Sequence, residues 1–223
     1  MSRNVRPQQR CAGVDGCKGG WVVASRDGAH VEPSIANVIA TFDIVGIDMP
    51  IGLPNIFSRQ SDFEARRYLR PRGSTVFPTP PRACIDATDY SQACELAREA
   101  TGKAISIQAW NIVPKIKEVD ALISRDHERR VAEMHPECSF LAMNNDEALT
   151  SKHTSVGIEQ RSKLVESHFG VTPIALRFAR IDDVLDAYAV LWSAERFAAG
   201  THRTMPEHDE QRDARGLLMR IVV

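Results

Sequence analysis

Cys11-Ala-Gly-Val-Asp15, Gly16-Cys-Lys-Gly-Gly20 and Trp21-Val-Val-Ala24 follow one another without a break near the start of the chain. The first is a short apolar run ending on an acid, the second a glycine-rich turn and the third another apolar run, the pattern of strand, tight turn and strand. A second turn at Arg26-Asp-Gly28 leads to an extended stretch from His30 to Ile35, so the chain opens as a three-stranded antiparallel meander. Ile44-Val-Gly-Ile-Asp48 is apolar on both faces, as a central strand buried on both sides must be. It also ends on an acid, before Met49-Pro-Ile-Gly-Leu-Pro54 breaks the strand.

From about residue 55 to 130 the pattern turns helical. Ser61-Asp-Phe-Glu64 has the spacing of a capping box and starts a short helix through Leu69; a second helix runs from Asp89 to Thr101 and is closed by Gly102. A third spans Ser106 to Ser124, with Ala109, Ile112, Ile116, Val119 and Ile123 at helical spacing and Pro114 set to kink it. Pro71-Arg-Gly-Ser-Thr-Val-Phe-Pro-Thr-Pro-Pro81 is too rich in proline for regular structure. Val131 to His135 reads as a strand ending at Pro136-Glu137, and helices follow at Ile158–Phe169 and Asp182–Ala199, stopped by Gly170 and Gly200. Strands, then helices, then one late strand and a closing helix predict an α/β or α+β sandwich: a single domain over 11–223 behind a flexible N-terminus of residues 1–10, with a helical insertion at about 55–130.

The 223 residues carry 28 Lys and Arg against 29 Asp and Glu. Such neutrality argues against a protein that coats nucleic acid by bulk positive charge, so any contact with phosphate must be local. There is no apolar run of the roughly 18 residues that a membrane span needs, and Met1 to Arg10 does not read as a secretory signal. The expected location is cytoplasmic. The five cysteines are scattered, without the paired spacing of structural zinc, and read as reduced thiols.

Three acids fall at corresponding places: Asp15 and Asp48 at the ends of apolar runs, and Glu137 just past a third. A carboxylate there gains nothing from the core and costs several kcal/mol if buried unpaired, so it needs a cation or backbone N–H groups. The ends of strands in open α/β sheets are also where ligands bind. On the last helix Asp186 shares a face with Asp183, Ala189, Val190, Ser193 and Phe197, so its stripe continues as small and apolar residues. Carboxylates on the buried side of a helix, facing strand-end acids, are the donor set of Mg²⁺ or Mn²⁺. Between Ala65 and Ile85 the chain carries Arg66, Arg67, Arg70, Arg72 and Arg82 and no acid. Arg66, Arg72 and Arg82, with Lys18 in the glycine-rich turn and Lys115 beside Pro114, are the candidate phosphate contacts. His135 is a candidate for proton transfer.

Several motifs resemble a family of unknown function described as predicted RNase H-like nucleases. They are Gly13-Val-Asp-Gly-Cys-Lys-Gly-Gly-Trp-Val22, Asp48-Met-Pro-Ile-Gly-Leu-Pro54, Gly73-Ser-Thr-Val-Phe-Pro78, Pro114-Lys-Ile-Lys-Glu-Val-Asp120, Glu133-Met-His-Pro-Glu137, Asp182-Asp-Val-Leu-Asp-Ala187 and Asp213-Ala-Arg-Gly-Leu217. The resemblance implies an RNase H-like α/β fold: a five-stranded mixed sheet whose first three strands are antiparallel, helices on both faces and a helical insertion before the last strand. It also implies that Asp15, Asp48 and Asp186 bind metal, with Asp183 one turn earlier; Glu137 matches the family's His-Pro-Glu motif and is read as a further ligand. The expected function is metal-dependent hydrolysis of phosphodiester bonds in nucleic acid or a nucleotide. Two alternatives are a non-catalytic interaction protein on the same fold, and an actin-like nucleotide binder, which would need a homodimer.

Overall fold

In the computed structural model, which describes residues 9–223, the opening meander is formed by β1 (Cys11–Cys17), β2 (Gly20–Ser25) and β3 (Gly28–Glu32). All but the last two residues of the expected flexible N-terminus lie outside the described residues. β4 (Ile44–Ile47) and β5 (Val131–Glu133) complete a five-stranded sheet in the order β3-β2-β1-β4-β5. The β1–β2 and β2–β3 pairs are antiparallel, and β1–β4 and β4–β5 are parallel. The mixed sheet is therefore as expected, with its antiparallel half first.

Between β4 and β5 lie α2 (Gln60–Tyr68), α3 (Tyr90–Thr101) and α4 (Ile107–Leu122). Asp89 caps α3 by accepting from Gln92 N–H, and Gly102 closes it with a left-handed φ of 76°. Pro114 lies inside α4. After β5 come α5 (Pro136–Met143), α6 (Ser155–Phe169) and α7 (Ile181–Ala199), and the tail forms a small antiparallel pair, β6 (Thr204–Met205) with β7 (Ile221–Val222). Val222 also bridges Met134 beyond β5, which ties the tail to the sheet.

The period-2 alternation of β1 sorts its side chains. Ala12 and Val14 join a core with Ile35, Val38, Ile116 and Val119, so α4 and the short helix α1 (Ile35–Thr41) cover that face. The other face meets α7. Gly13 and Gly46 stand opposite each other in the β1–β4 register. A Cβ on Gly13 would lie 2.1 Å from the carbonyl oxygen of Ala187, and one on Gly46 would lie 2.9 Å from Val190. The two glycines form a shallow trough in which α7 rests on the sheet backbone. Asp15, two residues further along β1, and Asp48, just past the end of β4, face the same side.

Three local expectations are corrected. The extended stretch stops at Glu32, because Ser34 accepts a hydrogen bond from Ala36 N–H and starts α1. Ser61 does not cap α2: the helix begins at Gln60 after Arg59, and the Ser61 hydroxyl is buried without a partner. The strand expected to run to His135 stops at Glu133, and Glu137, just past it, lies in the first turn of α5, which opens on Pro136. Among the described residues no helix is long and apolar enough to cross a membrane.

Candidate functional site

The parallel pair β1–β4 and the start of α7 bring three carboxylates to one cleft of about 680 Å³. Asp15 is 8% exposed and Asp186 4%, while Asp48 is reached from the cleft. Burial pushes the Asp15 carboxyl well above its usual range, and the charges of Asp48, Asp186 and Asp183 push it further. Asp48 is pushed up to about 8, first by burial and then by Asp186. Burial also raises Asp186, against the pull of Lys152, whose Nζ donates to Asp186 Oδ2 at 2.6 Å. The other oxygen, Oδ1, is buried and has no partner. A buried lone oxygen beside two more acids is costly unless a cation completes it.

The other proposed acids have different surroundings. Asp183 Oδ2 accepts from Arg180 N–H at 2.8 Å, so this carboxylate caps α7 while adding negative charge at Asp15. Glu137 lines the cleft, but both of its oxygens accept from Arg161 at 2.8 Å. Arg161 is 1% exposed and also donates to the carbonyls of Thr150 and Gly157. Glu137 is thus half of a buried ion pair that anchors the loop ahead of α6.

The basic candidates separate in the same way. Lys115 lines the cleft beside Asp15; its ammonium reaches the Gly20 carbonyl and lies 4.1 Å from the centre of the Trp21 ring. Lys18 is exposed outside the cleft-lining set, and Arg72 is half-buried. Arg66 donates to the Val76 carbonyl at 2.8 Å, holding the proline-rich loop. Arg82 pairs with Asp120 at 2.9 Å and also with Asp213, joining α4 to the tail. The acid-free Arg segment of the sequence is therefore neutralised in part by distant acids. His135 faces the cleft with its Nδ1 buried and unpartnered, and burial holds the imidazole at about 4, neutral at physiological pH.

Two features of the site were not expected. Lys152 is one. The other is Arg59, 1% exposed, which bonds Asp62 Oδ1 at 2.6 Å and both oxygens of Glu133 at 2.5 and 2.6 Å. Glu133 in turn accepts from Ile51 N–H at 2.8 Å, so the network fixes the backbone that follows Asp48. In the sequence Arg59 is an unremarked residue before a helix; only the 74-residue separation from Glu133 closes the pair.

Among the described residues, no three His, Cys, Asp or Glu side chains already stand around one point as a ready metal site. The donors themselves suit a hard divalent cation: Asp15, Asp48 and the orphaned Asp186 Oδ1 all offer carboxylate oxygens to the cleft.

An α/β chain with acids gathered at the ends of adjacent parallel strands is what this fold and cleft define. The chain belongs to the family described as protein of unknown function (DUF429), whose model matches residues 13–211. No curated protein and no solved structure matches it.

Proposed function

We propose that the protein is a metal-dependent phosphodiesterase of the RNase H-like superfamily, acting on nucleic acid or a nucleotide. One observation carries the reading: Asp15, Asp48 and Asp186, from elements remote in sequence, meet in a single cleft, where Asp48 and Asp186 raise the proton affinity of Asp15, Asp186 raises that of Asp48, and one buried oxygen is left unsatisfied. Structural acids are ordinarily paired, as Glu137 and Asp120 are here, whereas mutually repelling acids in a cleft are a signature of functional sites. Asp15, Asp48 and Asp186 would hold Mg²⁺ or Mn²⁺, which supplies activation of a water and neutralisation of the leaving oxygen. Lys115, on the wall beside Asp15, is suited to a phosphate oxygen of the substrate. Asp183 adds negative charge at Asp15, while His135, held neutral at about 4 by burial, is too weak a base to be the proton acceptor.

The nucleotide-cradle alternative gains less support. Cβ positions on Gly16 and Gly19 are already crowded by the side chains of Lys115 and Phe178, at 2.6 and 2.8 Å, so the turn is packed over on the protein's own side chains. The test is thermal denaturation with and without Mn²⁺. The melting temperature should rise with Mn²⁺ in the wild type and not in Asp15→Asn. No metal-linked rise in the wild type would refute the reading.

A further inference from the structure

Resting on the metal reading above, we propose that Lys152, half-buried at the cleft wall, is a fixed cation of the carboxylate site, standing in for a second metal ion, so that the cleft takes one divalent ion per chain.

Lys152 does not reach Asp186 by chance of a loose side chain. The loop between α5 and α6 is secured on both sides of it. Thr150 N–H donates to Gln160 at 2.7 Å, and the Thr150 carbonyl accepts from Arg161 at 2.8 Å. The Ser151 carbonyl accepts from both the backbone N–H and the hydroxyl of Thr154, at 3.0 and 2.8 Å. Gly157 allows this closeness, since a Cβ there would lie 2.0 Å from that same Ser151 oxygen. Arg161 is itself held by Glu137 and lies 5.3 Å from the centre of the Phe140 ring. A buried ion pair, a helix cap and a glycine contact thus aim one lysine at one carboxylate, as the support around a functional side chain should.

The charge count gives the consequence. Asp15, Asp48 and Asp186 bring three negative charges when ionised, and Lys152, whose charge acts on all three, brings one positive; Asp183 and Lys115, whose charges also bear on Asp15, offset one another. One divalent ion balances the remainder. A second would leave a buried excess of positive charge beside an ammonium, which low surrounding polarity makes unfavourable. The commitment of Asp186 Oδ2 to Lys152 leaves Oδ1 as that residue's free donor.

The test is a Mn²⁺ titration of the full chain, with free ion measured by electron paramagnetic resonance, for wild type, Lys152→Met and Lys152→Arg, each checked for folding by circular dichroism. Wild type and Lys152→Arg should bind one ion per chain. Lys152→Met should bind a second, or bind the first at least about tenfold more tightly through relief of repulsion. Two ions in the wild type, or a Lys152→Met protein indistinguishable from it, overturns the role of Lys152 while leaving the metal reading intact. No binding by folded wild type or either variant overturns both.

Discussion

Replacing Arg59 by Met removes the cation that joins Asp62 to Glu133 while keeping most of the buried volume. Asp62 and Glu133 are 3% and 6% exposed, so both would remain as carboxylates cut off from water. Breaking a buried pair by deleting one partner costs about 3–5 kcal/mol. For a domain of this size each kcal/mol lowers the melting temperature by about 2–4 °C, which gives a fall of about 6–20 °C. The pH dependence has a definite sign. Burial already holds the Glu133 carboxyl above its usual range, with Arg59 as the main opposing influence. Without Arg59 it rises further. An acid whose folded pKa exceeds its unfolded one loses stability as pH rises from the unfolded value through the folded one. Melting curves of Arg59→Met at pH 5 and 7.5 should therefore show the larger deficit at pH 7.5. Glu133→Gln in the same background should recover part of it. A cost under about 1 kcal/mol, or a larger deficit at pH 5, would show that the network does not bear on stability in the way its geometry implies. Because Arg59 also bonds the carbonyls of Ile51 and Gly52, at 3.2 and 3.4 Å, the variant should weaken Mn²⁺-linked stabilisation at Asp48 as well.

Gly13→Ala puts a methyl group into the backbone of α7, which cannot rotate away, so a loss of about 3 kcal/mol is expected in urea denaturation; a change within about 0.5 kcal/mol would mean that helix and sheet separate easily. His135, held neutral at about 4 by burial, takes up its proton only in the unfolded chain as pH falls below 6.5. Stability should therefore drop between pH 6.5 and 4 by about 2 kcal/mol, and His135→Gln should flatten that limb of a pH series of melting curves.

The strands and the acids at their ends were legible because both are local signals. An apolar run that stops on Asp15 or Asp48 can be read without knowing what lies beside it, and the small, apolar stripe around Asp186 announces a helix face turned inward. Of the elements that escaped, α1 and α5 did so for local reasons too, while β6 and β7 are two-residue strands that exist only through each other. α1 has one turn's worth of apolar residues between a strand and a strand, and α5 follows so closely on β5 that its first residues read as the strand's end. What the sequence could not reveal is partnership. Arg82 and Glu137 look alike as free charged groups until Asp120, Asp213 and Arg161 arrive from elsewhere in the chain. Lys152 sits in an ordinary polar loop, and nothing local distinguishes it from Lys163, which pairs within its own helix on the surface.

The trough formed by Gly13 and Gly46 has a consequence for the order of assembly. Its occupant begins at Ile181, so a chain emerging from the ribosome exposes the segments of β1, β2 and β4 long before the helix that covers them exists. At about 5–20 residues per second, that face of the sheet waits on the order of ten seconds or more for its cover. During that interval Asp15 and Asp48 are open to water and carry no burial penalty. The repulsion among the acids therefore enters only when α7 closes over the trough, with the tail that ties Val222 to Met134 still to follow.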